Sequence, residues 1–308
     1  MRVLTVGEND AGRRLDRFLG ACFPHLPPAL LQRWIREKRV RLRGRHVAAS
    51  ARVEAGDEVK LFVADDALAS PGADMSPALP KRVALEVVYE DTHVLIVHKP
   101  AGQSVHPDRF GDCDTLLGHV QGYCLAHGDW KPDEENSFAP ALCHRLDKNT
   151  EGLVIAAKTA PALRLLNECM AARTIRKFYL CLVHGVLAQE QGELTHFLRR
   201  DFDAKQVTVF DKPVPDGRKA VLRYRVLSAR DGRSLLEVEL LTGRTHQIRA
   251  QLAYIGHPLV GDGKYGRPEK GFRGQALCAN RLVFGEMGGV LAGLSGREVV
   301  SERPEWGK

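Results

Sequence analysis

The stretch 142-LCHRLDKNTEGLVIAAKT-159 sets one carboxylate, Asp147, between Arg145 and Lys148 and follows it with a continuous apolar run. Asp-Lys-Asn-Thr has turn chemistry, because short Asp and Asn side chains bond nearby backbone amides. Gly152 to Lys158 reads as a buried strand. Two readings of Asp147 stand at this point. It is a turn cap, or it is a carboxylate that two basic neighbours hold ionised, as a nucleophile requires.

Outward from this stretch, 83-VALEVVYE-90, 93-HVLIVHK-99, 178-FYLCLVHG-185, 220-AVLRYRVL-227 and 234-SLLEVELL-241 also read as strands, with helices expected near 160–172 and 244–256. Strands outnumber helices and no regular βαβ alternation appears. The fold class expected is therefore α+β, a mixed and largely antiparallel sheet flanked by helices.

A chain of 308 residues with 44% hydrophobic and 27% charged residues has the composition of a globular protein of about two domains. No stretch approaches the roughly 20 apolar residues of a membrane span, and MRVLTVGENDAGRRLD lacks a signal peptide's apolar core, so a cytoplasmic protein with no membrane partner is expected. The seven cysteines lack CxxC spacing and read as buried free thiols. The twelve histidines show neither HxxxH nor HExxH spacing, so no metal is assigned.

The net charge of +7 favours a polyanionic partner, and its placement says more: residues 1–62 hold 13 Lys and Arg against 7 Asp and Glu. Two short helices are expected there, in 13-RRLDRFLGACF-23 and 29-ALLQRWIREKR-39, followed by strands in 40-VRLRGRHV-47 and 56-GDEVKLFV-63. Arg36, Lys38, Arg39, Arg41, Arg43 and Arg45 begin at a helix end and continue along a strand, which makes a continuous patch suited to RNA phosphates. Residues 64–82, ADDALASPGADMSPALPKR, read as an exposed linker that leaves units 1–63 and 83–308 free to reorient.

Three further constellations stand beside Asp147. In 241-LTGRTHQIRAQLAYIGHPLVGD-262, Arg244 and Arg249 lie near the start of a helix, where a cation opposes the dipole and a buried guanidinium requires an acid; Asp147 is a candidate partner. In 176-RKFYLCLVHG-185, Tyr179 follows a basic pair on a strand. The fourth, 98-HKPAGQSVHP-107, is a Pro-Gly loop after a strand, and no GxxxxGKS/T phosphate loop occurs.

In this order and register, the four pieces resemble the RluA-type pseudouridine synthases from about residue 83 to 277-LCANRLVF-284. The matching motifs are 99-KPAGQSVHP-107, 144-HRLDKNTEGL-153, 177-KFYLCLVHG-185, 243-GRTHQIR-249 and 257-HPLVGDGKYG-266. Glu151, where a small or hydroxylated residue is usual, and Cys278, where histidine is common, depart from the pattern. The N-terminal segment resembles the S-four RNA-binding module through 14-RLDRFL-19, 40-VRLRGRHV-47 and 53-VEAGDEV-59, and departs from it at Pro27-Pro28-Ala29 and at Lys38, where glycine is usual.

The resemblance implies the pseudouridine synthase fold and the isomerisation of specific uridines in structured RNA. By similarity, Asp147 attacks the target uridine, at the ribose anomeric carbon or at the pyrimidine ring. Tyr179 stacks on the base and helps remove the carbon 5 proton, and Arg249, in preference to Arg244, pairs with the acid. Arg145 enters the space left by the extruded nucleotide, and His144, Arg244 and Lys99 complete the substrate-binding set. No cofactor is implied, since substrate and product are isomers. Large-subunit ribosomal RNA is the favoured partner, transfer RNA the alternative, and a monomer is expected. A noncatalytic RNA-binding or ribosome-assembly protein and a glycosidase-like hydrolase are the rival readings. The latter ordinarily needs a second carboxylate across the bond, and none stands out in the four motifs.

Overall fold

The computed structural model describes residues 1–68, 79–80, 82–107, 114–201 and 206–307. Most of the expected linker and Cys113 lie outside the described residues. The other six cysteines are unpaired, with Cys124, Cys181 and Cys278 buried. No described helix is long and apolar enough to cross a membrane.

The N-terminal unit contains β1 (Arg2–Thr5), α1 (Leu15–Cys22), α2 (Pro28–Arg36), β2 (Val40–Leu42) and β3 (Glu58–Leu61). Its antiparallel sheet has the order β1-β3-β2. Helical spacing in α1 and α2 brings Leu15, Phe18, Leu19, Leu31, Trp34 and Ile35 onto the sheet, where Val40, Leu42, Val59 and Leu61 complete a separate core. α2 starts at Pro28 because a proline at the first helical position gives up only an amide that would be unpaired anyway. Strand β2 is shorter than expected. The chain turns after Leu42, where Arg43 (φ 50°) and Gly44 (φ 75°) are both left-handed, as a tight type I′ hairpin requires.

The core extends past the expected boundary to Leu68, which is buried against it. The unit is also docked, contrary to the free reorientation that the linker's composition implied. Arg13 donates to Ser137 Oγ at 2.6 Å, Asn136 to the Thr5 carbonyl at 2.7 Å, and Ala160 N–H to Asn9 Oδ1 at 2.8 Å. Composition describes the tether, whereas orientation is set by polar groups 124 to 151 residues apart in sequence.

The larger unit follows as β4 (Glu86–Glu90), β5 (Val94–Lys99), α3 (Leu116–Ala126), β6 (Ala141–Leu142), β7 (Glu151–Ala157), α4 (Ala160–Ala172), β8 (Ile175–His184), β9 (Gln191–Asp201), β10 (Gln206–Phe210), β11 (Arg218–Arg230), β12 (Arg233–Leu240), α5 (Gln247–Tyr254), β13 (Leu277–Phe284) and β14 (Glu298–Val300). Its sheet has the order β10-β9-β11-β12-β8-β13-β7-β5-β4, with β14 beside β13 and β6 beside β7. Every pairing is antiparallel except β13 with β7. In β5, Leu95 and Val97 join the core beneath α3 and α5, while Val94 and Ile96 join the core beneath α4. Burial on both faces explains why this strand and β7 are apolar without interruption.

The parallel pairing of β13 with β7 is a seam only two residues long, Cys278 with Glu151 and Ala279 with Gly152. Gly152 has φ 116°, and a Cβ there would lie 2.3 Å from the Ala279 carbonyl oxygen. Only glycine fits this backbone and this approach. Beyond the seam the same edge of β7 is taken by β6, through Ala141 with Ala157 and Leu142 with Ala156. The chain therefore leaves the sheet after β6, forms a loop in the gap, and returns as β7. Glu151, one of the departures from the family pattern, accepts from the Trp306 indole at 3.0 Å, so its carboxylate fastens the C-terminal segment.

Gly152→Ala is expected to lower the unfolding free energy by about 1–3 kcal/mol or more, because the backbones at the seam must part. Urea unfolding of the two proteins measures this directly, and an unchanged midpoint would contradict the tight seam.

Candidate active site

The loop in the gap between β6 and β7 carries His144, Arg145, Leu146 and Asp147. Since the sheet is interrupted there, Ile155 N–H has no strand partner and donates to His144 Nε2 at 3.2 Å. The imidazole replaces a ladder carbonyl. Burial and the neighbouring Lys177 cation push its pKa down to about 3, which keeps Nε2 available as an acceptor. Leu146 is buried in the core and anchors the loop, while Arg145 projects outward. Thr150 N–H closes the turn on the Asp147 carbonyl at 3.0 Å, and Gln275 Nε2 holds Thr150 Oγ1 at 3.0 Å.

Asp147 meets Arg249 from α5 at 2.8 Å, between Oδ2 and an Nη. The other side of the same guanidinium is gripped by Asp262, with Nε to Oδ2 at 2.7 Å and Nη to Oδ1 at 2.9 Å. Asp262 is fully buried, Arg249 is 9% exposed and Asp147 is 25% exposed. Burial opposes ionisation of Asp262, yet Arg249 and the amides of Lys264 and Tyr265 outweigh it and hold the carboxyl below the ordinary range. Burial likewise opposes the charge on Arg249, and the two carboxylates raise its pKa despite that. Asp262 fixes the guanidinium; the guanidinium fixes Asp147.

The cleft above this array has a volume of about 550 Å³. Tyr179 on β8 forms part of its wall. Burial first, and then the Asp147 charge, push the phenol pKa up, so the hydroxyl stays protonated. Arg145, Lys177, Arg200, Arg244 and Lys264 give the cleft a basic lining around Asp147, the one acid among its described residues. Such a lining attracts a polyanion, while the apolar Leu146, Leu240, Ile248 and Leu277 offer surface to a flat ring.

Most of the expected residues meet here. His144, Arg145, Asp147, Tyr179, Arg244 and Arg249 all line this one cleft. Arg244 does not bind the acid; its Nε donates to the Lys219 carbonyl at 3.1 Å. Lys99, expected in the substrate-binding set, does not reach the cleft. Its side chain is completely buried, and its ammonium donates to the carbonyls of Pro100, Gln103 and Lys148 at 2.8, 2.9 and 2.9 Å. A buried ammonium has three donors to place, and these carbonyls tie the 100–103 loop to the residue following Asp147. Burial lowers its pKa to about 8.

The helix carrying Arg249 begins at Gln247, later than the expected 244, because the preceding segment folds as a turn. Gln247 Oε1 takes the Arg244 amide at 3.0 Å and the Thr242 hydroxyl at 2.8 Å. Asp262 lies within the motif 257-HPLVGDGKYG-266 but outside the candidate site residues named from sequence. A second acid was nonetheless demanded by the buried guanidinium, whose forked donors one carboxylate oxygen cannot satisfy.

In the N-terminal unit, Arg36, Lys38, Arg39, Arg41, Arg43 and Arg45 are all exposed. Arg43 is committed to Asp57 and Glu54, at 2.5 and 2.8 Å, and Arg39 to Glu37 at 3.0 Å. Lys38, where the module resemblance expects glycine, has φ 62°, the left-handed conformation glycine adopts at least cost.

Comparison with known proteins bears on the family and the fold. Residues 93–254 match the RNA pseudouridylate synthase family. The chain is 33% identical to ribosomal large subunit pseudouridine synthase D of Xylella fastidiosa, over 92% of this chain and 84% of that protein. It is 32% identical to the uncharacterized RNA pseudouridine synthase YlyB of Bacillus subtilis, over 91% of this chain and 88% of the relative. In fold it resembles human RNA pseudouridylate synthase domain containing 1, with a TM-score of 0.58 at 24% identity over 73% of this chain and 86% of the human one. Motifs, fold and relatives agree, and the chain belongs to the RluA-type RNA pseudouridine synthases, isomerases that convert uridine in RNA to pseudouridine.

Proposed function

We propose that this enzyme modifies large-subunit ribosomal RNA, with Asp147 as its nucleophile. The carrying observation is that one partly exposed carboxylate lies in a basic cleft, oriented by a guanidinium that a buried second acid holds in place. The substrate class is supported by relatives named ribosomal large subunit pseudouridine synthase D, at 33% identity in Xylella fastidiosa and in Yersinia pestis. Those names favour a catalyst over the noncatalytic and hydrolase readings, and ribosomal over transfer RNA.

The target uridine leaves its stack and enters the cleft, since a stacked base cannot present its sugar to a carboxylate. Arg145, exposed beside the nucleophile, takes the vacated space. Asp147 bonds to the anomeric carbon or to the pyrimidine ring, the bond from N1 to the anomeric carbon breaks, and the uracil turns. Carbon 5 then bonds to the anomeric carbon as the bond to Asp147 breaks and frees the carboxylate. Carbon 5 gives up its proton to solvent water and N1 takes one from water, so no atom is gained or lost overall. Because Tyr179 stays protonated, its role is to pack against the uracil ring; a neutral phenol is a poor acceptor for the carbon 5 proton.

The N-terminal unit acts as an RNA-binding module, with Arg36, Lys38, Arg41 and Arg45 as its phosphate contacts. Arg39 and Arg43 spend their charge on Glu37, Glu54 and Asp57 instead. Docking against residues 135–137 and 160 holds the patch at a set distance from the cleft.

Asp147→Asn is expected to abolish pseudouridine formation and leave RNA affinity nearly intact; turnover at the parent rate would end the nucleophile assignment. Asp262→Asn strands a buried guanidinium, and a loss of about 3–5 kcal/mol of stability together with a lower kcat is expected. Because its folded pKa is depressed, the stabilisation from Asp262 is present above the unfolded value of about 3.9 and is lost as pH falls through the folded value. Acid unfolding of parent and variant should therefore converge at low pH. Replacing Arg36, Arg41 and Arg45 with glutamine is expected to weaken RNA binding and flatten its dependence on salt. Titrations at several ionic strengths test this, and an unchanged slope would remove the module from the RNA interface.

A further inference from the structure

His246 is the N-cap of α5, yet its side chain makes no capping hydrogen bond, although the usual N-cap residues are chosen for that bond. Its backbone is left-handed at φ 54°, a conformation that costs a non-glycine residue free energy and that marks functional positions when the surroundings enforce it. The ring is turned instead between two groups. Nδ1 lies 2.8 Å from the Tyr265 hydroxyl, and Nε2 lies 3.9 Å from Asp147 Oδ2, the oxygen that Arg249 binds at 2.8 Å.

The Tyr265 hydroxyl also accepts the Val207 N–H of β10, at 2.8 Å. A phenol has one proton to give. With Val207 occupying a lone pair, the arrangement in which the phenol gives its proton to Nδ1 satisfies both groups and leaves the proton of the neutral imidazole on Nε2, facing Asp147. The groups around His246 divide between Asp147 and Asp262, which favour its charge, and Arg249 and Lys264, which oppose it; burial is the largest influence and keeps the ring neutral. Tyr265 is itself fixed, with the Arg249 guanidinium 5.3 Å above its ring.

We propose that His246, with its tautomer set by Tyr265, is a positioning residue that directs an N–H at Asp147 Oδ2 and so leaves Oδ1 to face the uridine. Closure of 3.9 Å to hydrogen-bond distance accompanies substrate binding, since catalytic hydrogen bonds are often long before the substrate is bound. The proposal rests on Asp147 as the nucleophile.

The test follows release of tritium from 5-tritiated large-subunit ribosomal RNA transcribed in vitro, which reads loss of the carbon 5 proton. His246→Ala is expected to lower kcat by about 10- to 100-fold, the range for groups that orient a catalytic ligand, with KM within about twofold of the parent. His246→Gln keeps an N–H near the Nε2 position and is expected to recover most of the rate. Tyr265→Phe lowers kcat with histidine at 246 and leaves it unchanged in the His246→Gln background, because an amide has no tautomer to set. Loss of the Val207 acceptor costs stability in both backgrounds, so a purely structural role for Tyr265 would lower activity in both. The proposal is overturned by His246→Ala turning over within twofold of the parent, by glutamine rescuing no better than alanine, or by Tyr265→Phe costing the same in both backgrounds. Should His246→Ala fail to fold, the glutamine and phenylalanine variants decide alone. Activity in Asp147→Asn would sink the nucleophile reading itself, whereas an inactive Asp147→Asn beside a fully active His246→Ala sinks only this one.

Discussion

The site is organised by a guanidinium withdrawn from water and shared between two carboxylates. Removing an ion from water costs several kcal/mol, and Arg249 is tolerable in the interior because Asp262 grips it through two donors and Asp147 takes a third. The two acids are not equivalent. Asp262 is fully buried, and two backbone amides hold its Oδ1, so it cannot turn toward a substrate. Asp147 opens on the cleft. One acid anchors and the other is presented, and the asymmetry comes from burial and not from chemistry.

The same asymmetry runs through the sheet. Its two halves meet at a parallel contact of two residues, where Gly152 lets the backbones of β7 and β13 approach more closely than any side chain would permit. Past that contact the strands separate and the gap holds the loop bearing Asp147. An interrupted ladder leaves unpaired backbone groups, which are costly when buried. His144 satisfies one of them at Ile155 and Lys99 collects three carbonyls, one of them from the residue after Asp147. Both residues were expected to bind substrate. His144 serves the backbone from the cleft wall, and Lys99 is sealed beneath it.

Electrostatics connects this site to its substrate. Among the described residues, six basic side chains surround Asp147 in the cleft, and a second basic patch lies on the docked N-terminal unit. Long-range attraction of this kind is not selective among polyanions. The polar contacts of Asn9, Arg13 and Asn136 set how the patch and the cleft are spaced.

The sequence by itself determined the class of fold, the strands β4, β5, β7, β8, β11 and β12, and helices α1, α2 and α4, because period and turn chemistry are local properties. Helix α3 escaped such a reading: 116-LLGHVQGYCLA-126 contains two glycines and is apolar on several sides, so it shows no helical stripe. The motifs also named Asp147, Tyr179 and Arg249, which the fold gathers around one cleft. Only the tertiary structure decided that Asp262 holds Arg249, that Lys99 is internal, that Arg39 and Arg43 are already paired, and that the N-terminal unit is docked. Each of these is a pairing between residues brought together by folding, or a neutralisation by a neighbour outside the motif. Residue type records what a side chain can bind, and only the folded geometry records which partner reaches it first.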